Sequence, residues 1–183
     1  FFFFFLNIVY ILLFCFGAHP LMGQTRTIDS LKKNIRFAEY AAGKTRAIFS
    51  LCNLGYSLHP DTLMKYALLG TSLAKERDNL EEEITGMYHQ SAALTNKGLI
   101  DSSLAMANKC LEMVPGKINN PVLEGNLFNQ KGRCFMRKNQ YKEAAEMGYR
   151  VIESGEKAKD TLLQIKGKTL LGWAYLEMGQ TNN

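Results

Sequence analysis

Tyr141-x-x-Ala144-Ala145-x-x-Gly148-x-x-Val151-Ile152 is the stretch that decides the fold. Its small and apolar residues stand 3, 4, 7, 10 and 11 positions after Tyr141, which places them on one face of an α-helix. Forty-one residues earlier, Ile100, Ser103, Leu104, Ala107, Cys110 and Leu111 occupy the same offsets. Another 40 residues back, Pro60, Leu63, Met64, Ala67, Gly70 and Thr71 do so again. Three helices therefore share one template, each with a small residue (Ala67, Ala107 or Gly148) at the centre of its face, where a neighbouring helix must come close. Self-similarity at a fixed period of this size marks a stacked helical array.

A second pattern runs in step with the first. Leu51-x-x-Leu54, Ser91-x-x-Leu94, Gly132-x-x-Phe135 and Gly172-x-x-Tyr175 are spaced by 40, 41 and 40 residues. Seven residues after each anchor stands Leu58, Gly98, Asn139 or Gly179, and Gly and Asn tolerate the left-handed conformation that ends helices. Asn120-Pro121 and His59-Pro60 read as helix starts with proline in the first turn. Asn79, followed by Glu81, Glu82 and Glu83, complements the positive end of a helix dipole. Pro115-Gly116 and Ser154-Gly155 read as stops. The expected pairs are residues 41–57 with 60–77, 80–97 with 100–113 and 120–138 with 141–154, followed by an unpaired helix over 160–178.

The composition suits a folded chain: 183 residues, 46% hydrophobic and 21% charged, with four prolines. Four cysteines are too few for a disulfide scaffold; Cys52, Cys110 and Cys134 fall in apolar helical patterns and are expected to be small buried packing residues. Residues 1–16 form an apolar run broken only by Asn7, short of the roughly 20 residues a membrane span needs. With Pro20 and then Gly23 before Gln24, residues 1–23 are read as a secretion signal, a retained anchor being the alternative. Residues 24–40 are a partly helical lead-in and 41–183 the array. Charges outside the signal sum to +5 and are spread along the chain, so no direct nucleic-acid binding is expected.

Leu171-Gly172-Trp173-Ala174-Tyr175 with Gly179, and Gly132, Phe135, Tyr141 and Ala144, resemble the tetratricopeptide repeat. The period is longer than that family's 34 residues, and Leu51 and Leu63 stand where glycine and alanine are usual. The resemblance implies an all-α fold, an α-α superhelix of antiparallel helix pairs, with about three and a half repeats. It also implies a groove lined by the first helix of each pair. Carried over position by position, the groove residues are Tyr88, Asn96, Asn126, Asn129, Arg133, Arg137 and Lys166, accompanied by Thr85, His89 and Thr169. Asparagine amides can pair with a peptide backbone, and Arg133, Arg137 and Lys166 with an acidic group or a terminal carboxylate.

Chemistry of other kinds has little foothold. Gly43-Lys44-Thr45 resembles the end of a phosphate-binding loop, but Ala38 stands where that loop needs glycine. His19, His59 and His89 are isolated, so no metal or other cofactor is expected and no catalysis within these residues. The leading expectation is an exported, non-catalytic module that binds a protein or peptide, similar to the extracytoplasmic sensor region of bacterial two-component sensor kinases or membrane-bound regulators. Membrane association would run through segments outside the repeats, and a homodimer is one compatible assembly. A freestanding exported adaptor, or accessory repeats of an enzyme, are the alternatives. Leu170, Leu171, Trp173, Tyr175 and Leu176 on the last helix lead us to expect a longer natural chain that covers them.

Overall fold

The computed structural model describes residues 26–38 and 40–181, and all its regular elements are helices. They are α1 (residues 26–37), α2 (Ala41–Cys52), α3 (Pro60–Lys75), α4 (Leu80–Asn96), α5 (Ile100–Met113), α6 (Pro121–Arg137), α7 (Tyr141–Ala158) and α8 (Thr161–Thr181), with a 3-10 turn at Gly55–Ser57. The segment read as a secretion signal, residues 1–23, lies outside the described residues. No helix among the described residues is long and apolar enough to cross a membrane.

Side-chain caps set four of the starts, that of α8 through Asp160 Oδ1, which accepts from the Leu163 N–H at 2.9 Å. The Asn79 carboxamide accepts from the Glu82 N–H at 3.1 Å, Asn120 from that of Leu123 at 3.0 Å, and His59 Nδ1 from that of Asp61 at 3.3 Å. Each satisfies one amide that the first helical turn leaves without a partner. The three acidic residues that open α4 also reach beyond it, Glu83 pairing with Lys75 of α3 at 3.6 Å. Glu82 pairs with Arg77, whose Nη2 donates to Thr45 Oγ1 in α2 at 2.9 Å, and Glu81 accepts from Asn120 Nδ2 at 2.6 Å. Gly98 and Asn139 end α4 and α6 with φ of 79° and 58°, as expected of the turn positions.

Three expectations need correction. Helix α2 ends at Cys52 rather than near 57: Gly55 takes φ of 48° and the chain turns there, and Leu58 after it is extended and buried. Ser154-Gly155 does not stop α7, which runs on to Ala158 and ends on left-handed Lys159. Gly155 is there for proximity, since a Cβ on it would lie 2.8 Å from Gln164 Cγ and 2.9 Å from the Gln164 amide of α8. Gly179 likewise lies within α8 rather than at a turn.

From α2 to α8 each helix packs on the next, and α2 also touches α4, α4 touches α6, and α6 touches α8. Short connections make the neighbours antiparallel hairpins. The interior divides into three apolar clusters along the chain, around Ile48, Leu51 and Leu63, around Ile84, Cys110 and Leu127, and around Ala144, Leu170 and Ala174. Each fully buried leucine or isoleucine contributes about 2 kcal/mol by removal from water. Cys52, Cys110 and Cys134 are buried free thiols, as expected of packing residues, and burial pushes Cys52 and Cys110 up to about 12.

Candidate binding groove

Helices α4, α6 and α8 lie side by side, and the spacing of their repeats puts equivalent positions on one surface. A groove of about 510 Å³ runs across that surface, walled at one end by Cys52, Asn53, Leu54, Gly55 and Ser57, from the end of α2 and the 3-10 turn. Tyr88 and Asn96 of α4, Asn126, Asn129 and Arg133 of α6, and Lys166 of α8 all line it. Six of the seven residues named from the sequence thus meet in one cavity, with His89 beside them. Arg137 lines an adjoining hollow that shares Asn129, Arg133 and Lys166 and adds Met136, Ile165, Thr169 and Trp173. Thr85 lines neither; its hydroxyl donates to the Glu81 carbonyl within its own helix at 2.8 Å.

The charge in the groove is one-sided. No carboxylate among the described residues lines the groove or the adjoining hollow. Burial lowers the Arg133 pKa, with Cys134 opposing the shift and Arg137 adding a smaller push in the same direction; burial lowers that of Lys166 too, opposed by Asp160 and reinforced to a lesser degree by Arg133. Cations held against both desolvation and one another are stabilised by an incoming anion. Hydrogen bonds hold both in place. Lys166 Nζ donates to Asn126 Oδ1 at 3.0 Å, and Arg133 Nη1 donates to Gln130 Oε1 at 3.0 Å.

Gln130 joins the groove to the interior. It is wholly buried, and its Nε2 donates to Thr95 Oγ1 at 2.6 Å and Ser103 Oγ at 3.2 Å. Ser103 also contacts Ser91 Oγ at 2.9 Å and Cys134 Sγ at 3.3 Å. A polar network therefore locks α4, α5 and α6 together directly behind Arg133, and among the described residues no buried side-chain nitrogen or oxygen lacks a partner.

His89 forms the aromatic floor. Its ring stacks on Phe49 at 5.9 Å and tilts against Tyr88 at 4.8 Å. Burial lowers its pKa from the usual 6.5 to about 4. Below pH 6.5 the unfolded chain takes up a proton that the folded chain refuses until near pH 4. Stability held above pH 6.5 is therefore lost as pH falls through that window, by about 3 kcal/mol in full. Urea denaturation at pH 7 and pH 4.5 measures it, and His89→Gln is expected to show a clearly smaller drop than the parent.

Sequence reasoning missed the wall supplied by the end of α2, Gly55 and Ser57, and the apolar side of the adjoining hollow. The only available signal for the wall was Gly55, and reading α2 through to residue 57 hid it. Gly43-Lys44-Thr45 lies inside α2 with Thr45 buried, its hydroxyl bonded to helix carbonyls and to Arg77, so it forms no phosphate loop. No cluster of three or more His, Cys, Asp or Glu side chains that could hold a metal ion occurs among the described residues. Compared with known proteins, the chain matches no family model, no curated protein and no solved structure.

Proposed function

We propose that the chain is a tetratricopeptide-like α-α superhelix, non-catalytic, that binds a protein segment in the groove of α4, α6 and α8. The repeating sequence template and the contact of every second helix with the next support the superhelical reading. One observation carries the function. Six of the seven positions carried over from the tetratricopeptide resemblance converge on a groove that holds Arg133 and Lys166 and no carboxylate among the described residues. Its amides suit a peptide backbone and its cations an acidic side chain or terminal carboxylate. We further read the chain as an exported sensor or interaction region of a larger signalling protein. A response that survives deletion of the array would remove that role and leave an adaptor.

The groove is tested by fluorescence anisotropy with a labelled peptide ending in two acidic residues and a free carboxylate. Its counterpart carries glutamines and a terminal amide. Charged hydrogen bonds contribute about 1.5–3 kcal/mol, so Arg133→Glu and Lys166→Glu are each expected to weaken the acidic peptide by roughly 10–100-fold. Equal binding of the two peptides, or indifference to both substitutions, contradicts the proposal.

A further inference from the structure

His89 of α4 is only 3% exposed, yet neither of its ring nitrogens has a hydrogen-bond partner among the described residues. The ring is held by packing alone, stacked on Phe49 of α2 and tilted against Tyr88. No fully enclosed side-chain nitrogen or oxygen among the described residues lacks a partner. The part of His89 that stays exposed therefore includes its nitrogens, and it opens into the groove that the residue lines. The Tyr88 hydroxyl beside it, and the Asn96 carboxamide further along the same face of α4, likewise have no hydrogen-bond partner among the described residues. Polar groups withdrawn from water without partners are costly, and an occupant that bonds them removes that cost.

The two ends of the groove differ in charge. Arg133 and Lys166 come from α6 and α8, whereas His89 sits against α2, where the wall closes the groove. Helices α2 and α8 bound it on its two sides. Burial lowers the His89 pKa to about 4, so at neutral pH the ring offers one N–H donor and one acceptor nitrogen. A carboxylate only accepts and would leave the acceptor nitrogen unmatched. An ammonium or guanidinium only donates, would leave the N–H unmatched, and meets no carboxylate in the groove among the described residues. A carboxamide donates and accepts at once, and so complements both the imidazole and the Tyr88 hydroxyl.

Resting on the reading of the groove as an acidic-peptide site, we propose that its α2 end is a second subsite, built by His89 and Tyr88, that selects a carboxamide side chain on the same segment. The occupant is then a peptide that carries asparagine or glutamine as well as the acidic group held by Arg133 and Lys166.

The test uses the full chain and labelled peptides ending in two acidic residues and a free carboxylate. The reference peptide has alanine at every preceding position; in the others glutamine, or methionine of similar size, replaces each alanine in turn. At one position glutamine is expected to tighten binding about 3–10-fold over both alanine and methionine, as neutral hydrogen bonds do. His89→Phe keeps a ring between Phe49 and Tyr88 but removes both nitrogens. It is expected to abolish the glutamine gain while leaving the affinity of the alanine peptide unchanged. The comparison of glutamine with methionine is made on the parent chain and stands whether or not the variant folds. Glutamine no better than alanine or methionine at every position, or a gain that survives His89→Phe, overturns this subsite and leaves the acidic-peptide reading intact. No binding of the acidic alanine peptide overturns both.

Discussion

Gly86→Ala is expected to lower the thermal midpoint of the chain by about 6–10 °C, equivalent to roughly 2–3 kcal/mol for a chain of this size. A Cβ at Gly86 would stand 2.2 Å from Thr71 Oγ1, 3.0 Å from the Thr71 amide nitrogen and 3.1 Å from its Cα. The hydroxyl could rotate away, but it donates to the Ala67 carbonyl at 2.8 Å and accepts from Gln90 Nε2 at 2.7 Å. The backbone of α3 cannot give way without disturbing its packing against α4. Alanine is the better helix former by about 1 kcal/mol, which offsets only part of the clash and of the lost hydrogen bonds. Gly43 supplies the contrast. It sits in α2 with nothing within 4 Å, so Gly43→Ala is expected to raise the midpoint slightly. Thermal denaturation of the two variants, followed by circular dichroism, reads both. A Gly86→Ala protein as stable as the parent would show that α3 and α4 do not approach this closely.

Gln130→Leu is expected to reduce stability and groove affinity together. Leucine fills similar volume but neither donates to Thr95 and Ser103 nor accepts from Arg133. Thr95 and Ser103 still bond each other at 2.7 Å, so the interior keeps part of its polar satisfaction. We expect a loss of about 1–3 kcal/mol in stability. Arg133 loses the acceptor that holds it toward the groove, so the acidic peptide is expected to bind about tenfold more weakly. The two effects separate in a double-mutant cycle. If Gln130 acts through Arg133, then Gln130→Leu adds little to the binding loss already caused by Arg133→Ala. Full additivity would mean that Gln130 affects binding by another route.

How far the sequence led can be argued from particular residues. The starts of α3, α4 and α6 were legible because His59, Asn79 and Asn120 are local capping signals whose partners lie two or three residues away. The ends of α2 and α7 were not, because glycine carries two meanings. At Gly55 it turns the chain, whereas at Gly155 it lets α8 approach, and nothing local separates the two. The groove cations were legible because the tetratricopeptide resemblance implies which face of each first helix lines a groove, and the repeat register carries that face to Arg133 and Lys166. The wall beyond the end of α2 and the anchoring of Gln130 by Thr95 and Ser103 depend on contacts between distant segments, which periodicity does not encode.

The central claim, that the groove of α4, α6 and α8 receives an acidic peptide, is tested most directly by amide chemical-shift mapping. The unlabelled acidic peptide would be titrated into isotope-labelled protein. The account predicts the largest shifts at Tyr88, Asn96, Asn126, Asn129, Arg133 and Lys166, with little change across the opposite faces of α3, α5 and α7. Saturating shifts confined to those opposite faces, or no shifts at millimolar peptide, would contradict it.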